Sequence, residues 1–543
     1  MLVRLICMHK KLLLPILVLI LLSACDFNSQ PQEQNYTVPS WTLFQRALVS
    51  GKTVQEARTL LVPKNVPYSI NTTIHGDPTS QMGITWFTNA NVLGGVVQVV
   101  EGRVYNHSGF SNAREIQATH TAVDNIVYVG RGCETRNRNR SEELIELTGF
   151  PAGTRRSYTS NKALITGLNP NTVYSYRVGK EGAWSDIGHF MTAPAGREPF
   201  EFIYITDTQS NTDEMFAISR RTLEAAKKNT PNARFVLITG DLVQSSAHET
   251  AAWEWEQFFA TKQHIWLQVP IVPVKGNHDR SPYHNMYHHF NTDTSFNRQQ
   301  TDVNAKTTME GTVYSFVYGD ALFLILNFED HRQGETYFAA KEEWMRTQIA
   351  AHADVRWRIA AFHKPLFTGA RHQGALSGRV VRERFAPVFQ ELGISLALQG
   401  HDHAYQVIGP IHVDGTNFTR LTNAISNQTF VTPTPTSNAN SMVTTDATGI
   451  RGGTFDVSRG TLYFTNNSAG KKKYYPRSRE EMDEIYHRHG VRNYFDLFNR
   501  FAQTGEPTFS RVRIATYAID IATYTVCGDG KATLFEEIRL IKN

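Results

Sequence analysis

The 543-residue sequence predicts an α/β domain on a mostly parallel sheet covered on both faces, preceded by an all-β sandwich. Three observations carry this. Five short polar segments, Thr206-Asp207-Thr208-Gln209, Gly240-Asp241, Gly276-Asn277-His278-Asp279, His363 and Gly400-His401-Asp402-His403, each follow an apolar, β-branched run. After residue 199, strand-like runs alternate with segments of helical period. Before residue 192 the chain shows short alternating strands separated by Gly and Asn-Pro turns.

The N-terminus reads as an export signal. A basic Met8-His9-Lys10-Lys11 precedes an apolar run over 12–22 and then Leu22-Ser23-Ala24-Cys25. Small residues before a Cys resemble a bacterial lipoprotein cleavage box, which implies a leader over 1–24, lipidation of Cys25 and a membrane-anchored place in the cell envelope, on the periplasmic side. The alternatives are a plain signal peptide or a membrane anchor. The short run and Pro15 disfavour a spanning helix. Residues 25–66 read as a Gln, Asn and Pro-rich tether leading into a short packed segment.

Residues 67–195 form the sandwich. Gly83-Ile84-Thr85-Trp86-Phe87-Thr88 and Val96-Val97-Gln98-Val99-Val100 alternate, and Gly167-Leu168-Asn169-Pro170-Asn171-Thr172 is a turn feeding a strand over 173–178. The segment from Gly167 to Tyr174 resembles a fibronectin type III fold with Tyr174 as its corner tyrosine. No chemistry is visible there.

Residues 196–543 carry the α/β pattern: strands over 202–206, 234–239, 269–274, 357–362 and 394–398, helices over 213–228, 250–263, 339–351 and 380–392, and a hairpin about Gly319-Asp320. Residues 415–453 form a long Thr, Asn, Ser and Pro-rich loop, which either borders the last motif or is an inserted surface loop. Runs at 460–465 and 517–521 read as late strands of the second sheet layer, and the basic stretch 471–479 as a solvated face.

Composition sets limits. Hydrophobic residues make up 41% and charged residues 19%, an ordinary globular balance. The formal charge of +5 falls to about +2 without Arg4, Lys10 and Lys11, so no nucleic-acid partner is expected. Outside the leader and Cys25, two cysteines remain, Cys133 and Cys527. An oxidising compartment permits a disulfide between them, but nothing in the spacing shows that they meet.

Taken singly, Gly-Asp or Asn at these positions is a cap or turn residue. Taken in order, the segments put carboxylates, imidazoles and an amide at the C-terminal ends of neighbouring strands, where open α/β sheets bind ligands. That donor mix suits divalent metals. The order resembles the calcineurin-like metallophosphoesterase superfamily, and this resemblance implies a four-layer α/β/β/α sandwich. It implies two divalent ions (Mn, Fe or Zn) about 3.5–4 Å apart, clamping an in-line displacement. Asp241 would bridge them, Asp207, Gln209 and His403 would hold the first, and Asn277, His363 and His401 the second. His278 would protonate the leaving group, oriented by Asp279. Arg371 is a candidate phosphate contact or a surface residue. His284, His288, His289 and His372 have weaker claims, with surface or capping roles.

A fibronectin-like domain ahead of such a domain also resembles the purple acid phosphatases. The sequence departs from them: Gln209 stands where most of the superfamily has His, and Gln244 where an iron-binding Tyr is expected. Gln209 is then a weaker ligand or none, and no ferric charge-transfer colour is expected. The implied activity is phosphomonoester or phosphodiester hydrolysis on a small-molecule or lipid-linked substrate. The rivals are pyrophosphate-bond cleavage at the same site and a non-catalytic envelope binding module.

Overall fold

The computed structural model describes residues 66–89, 92–126, 155–244, 251–279, 285–296, 310–329, 334–415, 417–421, 452–489 and 494–543. The expected leader at 1–24, Cys25, the tether up to 65, Cys133, His284 and most of the 415–453 loop lie outside the described residues. Cys527 is exposed. Its pairing with Cys133 also lies outside them.

The N-terminal strands are β1 (Tyr68–Thr73), β2 (Met82–Asn89), β3 (Val96–Glu101), β4 (Arg114–Gln117), β5 (Thr119–Ile126), β6 (Arg155–Ile165), β7 (Val173–Lys180), β8 (Ala183–Trp184) and β9 (Gly188–Met191). One sheet has the order β1-β2-β6-β5. The facing one has the order β4-β3-β7-β8, with β9 beside β7. Alternation along the strands buries Trp86, Val97, Val99, Tyr176 and Val178 in the core. The Tyr174 hydroxyl accepts a hydrogen bond from the Asn169 N–H at 2.8 Å, pinning the turn before β7.

The following part runs β10 (Phe200–Ile205), α1 (Asp213–Asn229), β11 (Val236–Ile238), α2 (Ala251–Ala260), α3 (Gln263–Trp266), β12 (Ile271–Pro273) and α4 (Asn285–His289). Next come β13 (Tyr314–Tyr318), β14 (Ala321–Ile325), α5 (Glu335–Ala351), β15 (Trp357–Ala361), α6 (Leu376–Glu391), β16 (Leu396–Gln399), β17 (Tyr405–Asp414) and β18 (Asn417–Arg420). β19 (Thr454–Asp456), β20 (Thr461–Thr465), α7 (Arg479–His489), β21 (Phe498–Ala502), β22 (Thr508–Ile514), β23 (Ala518–Val526) and β24 (Ala532–Ile541) complete it.

Two stacked mixed sheets form the α/β/β/α arrangement that the family resemblance implied, where the strand pattern alone suggested one covered sheet. β10, β11 and β12 pair in parallel, with β22, β23 and β24 antiparallel on the β10 side. In the second sheet β14, β15, β16 and β20 are parallel, flanked by antiparallel β13 and β17. The reason is visible in β10. Phe202 and Tyr204 join the core shared with Phe316, Phe323, Ile359 and Leu398 of the second sheet, whereas Ile203 and Ile205 pack with Phe216, Leu223 and Trp255 of α1 and α2. The outer face of the second sheet buries Leu324, Ala360 and Ala397 with Phe338 and Met345 of α5 and Phe385 and Phe389 of α6. Helix, sheet, sheet, helix is the resulting order. Helix α1 starts where Thr212 caps the Met215 N–H at 3.3 Å, with Asp213 and Glu214 in its first turn and Lys227 and Lys228 in its last.

One expectation changes. Residues 460–465 and 517–521 do not share a layer: β20 lies beside β16, and β23 beside β22 in the other sheet. β1 pairs with β12 through Thr73 and Ile271, so the first sheet runs continuously into the sandwich.

Candidate metal centre

Five parallel strands of the two stacked sheets end in motifs of the site. β10 leads to Asp207, β11 to Asp241, β12 to Asn277, β15 to His363 and β16 to His401 and His403. The backbone at these ends is tightly turned. Among the described residues, the non-glycine residues of positive φ are Ser69, Asn171, Asp207, Gln209, Asp241 and His401. Four of these six are site residues, and such strain persists where the surroundings over-determine a functional geometry. The glycines that open the loops leave no room for a side chain. A Cβ on Gly276 would lie 2.2 Å from the Asp241 nitrogen, and one on Gly400 2.4 Å from the Thr206 hydroxyl.

One donor set gathers around Asp207. Its Oδ2 accepts from the Thr206 hydroxyl at 2.6 Å and from the His401 N–H at 2.9 Å. Its buried Oδ1 accepts no hydrogen bond and faces His403 Nε2 at 3.2 Å. Gln209 donates through Nε2 to Asp241 Oδ2 at 2.7 Å, and its buried Oε1 has no donor. Orphaned buried oxygens are costly in a protein unless something positive meets them.

A second set gathers around Asp241. His363 Nε2 lies 3.2 Å from Asp241 Oδ2 and 3.1 Å from Asn277 Oδ1. Ligand atoms of Asp241, His363 and His401 all lie within 4.8 Å of one another. His363 Nδ1 faces the Thr239 carbonyl at 2.7 Å, so that nitrogen keeps its proton and Nε2 is the one turned to the site. Burial disfavours both charges of the Asp241–His363 pair, yet each holds the other ionised. The imidazoles of His363, His278 and His401 keep Asp241 below the usual carboxylate range, and Asp241 pushes His363 up to about 10. His401 is held below its ordinary value by burial and by His363 and His372. The carboxylates thus draw positive charge to one point. Oxygen and imidazole donors, a carboxylate common to both sets and two orphaned oxygens fit a pair of divalent ions.

The remaining expected residues fall less simply. His278 Nδ1 lies 2.6 Å from the Gln244 carbonyl, which orients the ring. Asp279 does not orient it. Its Oδ1 accepts from the Leu242 N–H at 2.8 Å and the Val243 N–H at 3.4 Å, and its Oδ2 from the Gly276 N–H at 2.8 Å. It is a buried clamp joining the Asp241 and Asn277 loops. Arg371 is exposed and stacks its guanidinium 5.1 Å above the Tyr474 ring.

Three residues at the site were missed or underrated, His372, Lys472 and Tyr474, and two histidines away from it were misplaced. His372 stacks on His401 with ring centroids 3.9 Å apart and meets Asp402 Oδ1 through Nδ1 at 2.6 Å. His288 and His289 are buried, and His289 stacks on Phe259, so neither is a surface residue. The stretch 471–479 is not simply a solvated face: Tyr474 stacks on His403 at 4.4 Å, and Lys472 Nζ donates to Gln244 Oε1. Its signal was present, since the stretch follows a strand as the other motifs do; the parallel place of that strand beside β16 was not.

Comparison with known proteins agrees with this geometry. Residues 200–405 match the calcineurin-like phosphoesterase family, and residues 67–192 match the purple acid phosphatase N-terminal domain. An uncharacterized protein of Mycobacterium tuberculosis is 23% identical over 280 residues, covering 46% of this chain and 51% of its own length. A probable purple acid phosphatase of Arabidopsis thaliana is 24% identical over 264 residues, covering 48% of this chain and 58% of the relative. The chain thus spans about half the length of the curated relatives it matches. The structure of a purple acid phosphatase from yellow lupin (Lupinus luteus) seeds superposes with a TM-score of 0.58 at 14% identity, covering 89% of this chain and 75% of that one. At that identity the likeness is one of fold.

Proposed function

We propose that this chain, a calcineurin-like phosphoesterase domain behind a purple-acid-phosphatase-type N-terminal domain, is a dinuclear metal-dependent phosphoester hydrolase anchored by lipid at Cys25 in the bacterial envelope. One observation carries the reading: two donor sets share Asp241 and present the orphaned oxygens of Asp207 and Gln209. Asp207, Gln209, His403 and Asp241 would hold one ion, and Asp241, Asn277, His363 and His401 the other. Two such ions supply a water of lowered pKa and offset the charge of the phosphoryl oxygens.

The chain's own groups do the rest. Thr206 and the His401 N–H fix Asp207 so that Oδ1 faces the site. The His278 N–H donates to Asp241 Oδ1 at 2.8 Å and Gln209 Nε2 to its Oδ2 at 2.7 Å, which fixes the carboxylate between the two donor sets. With Nδ1 on the Gln244 carbonyl, His278 presents Nε2 to the leaving oxygen, where it delivers a proton as general acid. Asp279 keeps the Asp241 and Asn277 loops in register and touches no substrate.

The test is hydrolysis of para-nitrophenyl phosphate and its bis-aryl diester by the detergent-solubilised full chain with Mn, Zn or Fe(II), beside Asp241→Asn. Metal-dependent turnover that the variant loses together with bound metal is expected. No turnover with any metal by a folded chain would overturn the reading, and metal content unchanged in Asp241→Asn would overturn the bridging role. The lipid anchor is tested separately: Cys25→Ser should move the protein from the membrane to the soluble fraction, and a membrane-bound variant would refute it.

A further inference from the structure

The loop after β20 was built to meet the site. Ser468 donates to the Asp207 carbonyl at 2.7 Å, and the Ala469 N–H donates to the Thr206 carbonyl at 2.9 Å. A Cβ on Gly470 would sit 2.4 Å from the Thr208 carbonyl oxygen, so the loop lies directly on the first motif. Four residues later the Tyr474 N–H donates to the His403 carbonyl at 3.0 Å. The stretch between, Lys471-Lys472-Lys473, is therefore held at both ends by the backbone of ligand loops.

The three lysines are used differently. Lys471 pairs with Glu214 at 2.7 Å, and Lys473 donates to the Gly505 carbonyl. Lys472 is half-buried and donates to a neutral amide, Gln244 Oε1. No carboxylate among the described residues comes within ion-pair distance of it. Burial lowers its proton affinity most, and the charges of Asp241 and Asp207 raise it while the Arg371 guanidinium lowers it. Gln244 ties it to His278, the group placed on the leaving-oxygen side, through its backbone carbonyl, which faces His278 Nδ1 at 2.6 Å. A half-buried ammonium with no carboxylate partner among the described residues, bonded to the same Gln244 that orients the proposed acid, is placed to take an anionic oxygen.

We infer that Lys472 is a substrate-contacting residue that binds a phosphoryl oxygen and makes the site prefer terminal phosphomonoesters over diesters. This rests on the phosphoesterase reading above. A terminal phosphate carries a charge of about −1.5 to −2 at neutral pH, a diester a single one, and an extra ammonium favours the former.

The test uses the Mn-loaded full chain and Lys472→Met, Lys472→Arg and, as a control, Lys473→Met. Aryl monoester and diester turnover, metal content and calorimetric binding of orthophosphate are measured for each. Lys472→Met should keep its metals, lose about 100-fold in kcat/KM on the monoester, a typical loss for removing one preorganised donor, and lose much less on the diester. Its orthophosphate affinity should fall about tenfold, Lys472→Arg should recover part of both, and Lys473→Met should behave as wild type. Equal losses on both substrates, loss of metal, or unchanged phosphate affinity would each overturn the inference. A wild-type chain that neither turns over nor binds orthophosphate would instead bring down the phosphoesterase reading itself.

Discussion

Lys262 shows what a charge costs away from the site. It is 1% exposed, and its ammonium has the Phe258 carbonyl at 3.4 Å, the Thr261 hydroxyl at 3.2 Å and the rings of Phe216 and Phe258. Burial, aided by Arg220 and opposed by Glu224, pushes it down to about 7 from 10.5. The unfolded chain therefore binds more protons between those values, so stability rises with pH across that window and the full cost is carried below pH 7. Each pH unit inside the window moves stability by up to about 1.4 kcal/mol. Lys262→Met should accordingly raise the urea midpoint most at pH 6 and least near pH 10. A gain that does not change with pH would refute the account. Asp279 gives the second case at this scale. An Asn there keeps one acceptor but turns an amide donor toward either the Leu242 or the Gly276 N–H. Asp279→Asn should weaken Mn binding by about 10–100-fold, as outer hydrogen-bonding partners of metal ligands typically do, while the chain stays folded. Unaltered affinity in a metal titration would show that the clamp is dispensable. The adjacency of His278 and Asp279 in sequence suggested a local pair; apart from Gly276, their partners Gln244, Leu242 and Val243 lie about three dozen residues upstream, and no local pattern announces them.

At the scale of elements, the strand-end loops place the ligands, and their glycines set how close those loops approach. Gly276→Ala puts a methyl 2.2 Å from the Asp241 nitrogen and 2.3 Å from its Oδ1, contacts that only a backbone shift relieves. The expected outcome is loss of both metals and a melting temperature lowered by several degrees, against no change for Gly528→Ala, where nothing lies within 4 Å. Full metal content in Gly276→Ala, read by elemental analysis, would show that the loop packing is adjustable. These elements were legible because each strand before a motif is a short apolar, β-branched run, and such runs need no tertiary information to be seen. Residues 471–474 were not, since a run of lysines normally marks solvent. What brings them inward is the pairing of Leu462 with Leu396, a contact between segments 66 positions apart. For the same reason the two-sheet stacking escaped the strand pattern: buried strands read alike whether one sheet or two cover them.

At the scale of the whole molecule, the sandwich is joined to the α/β core by polar pairing. One backbone ladder position links β1 to β12. Beside it the Gln263 side chain accepts from the Ile70 N–H at 3.0 Å and donates to the Ile70 carbonyl at 2.7 Å, standing in for a strand neighbour. Asn71 donates to the His289 carbonyl at 3.0 Å, and Ser160 to the His288 carbonyl at 2.7 Å. These bonds converge on α3 and α4, which flank the β12 strand that leads to Asn277. Ile70 is buried, so removing its partner strands two backbone groups away from water, at a cost of about 1–3 kcal/mol each. Gln263→Ala should then lower the stability of both parts together. In native-state hydrogen exchange, amides of β2 and β6 and amides of β10 and β11 should lose protection by the same free energy. Loss confined to β2 and β6 would mean that the sandwich opens alone, and that the β12 loop holding Asn277 keeps its place without it.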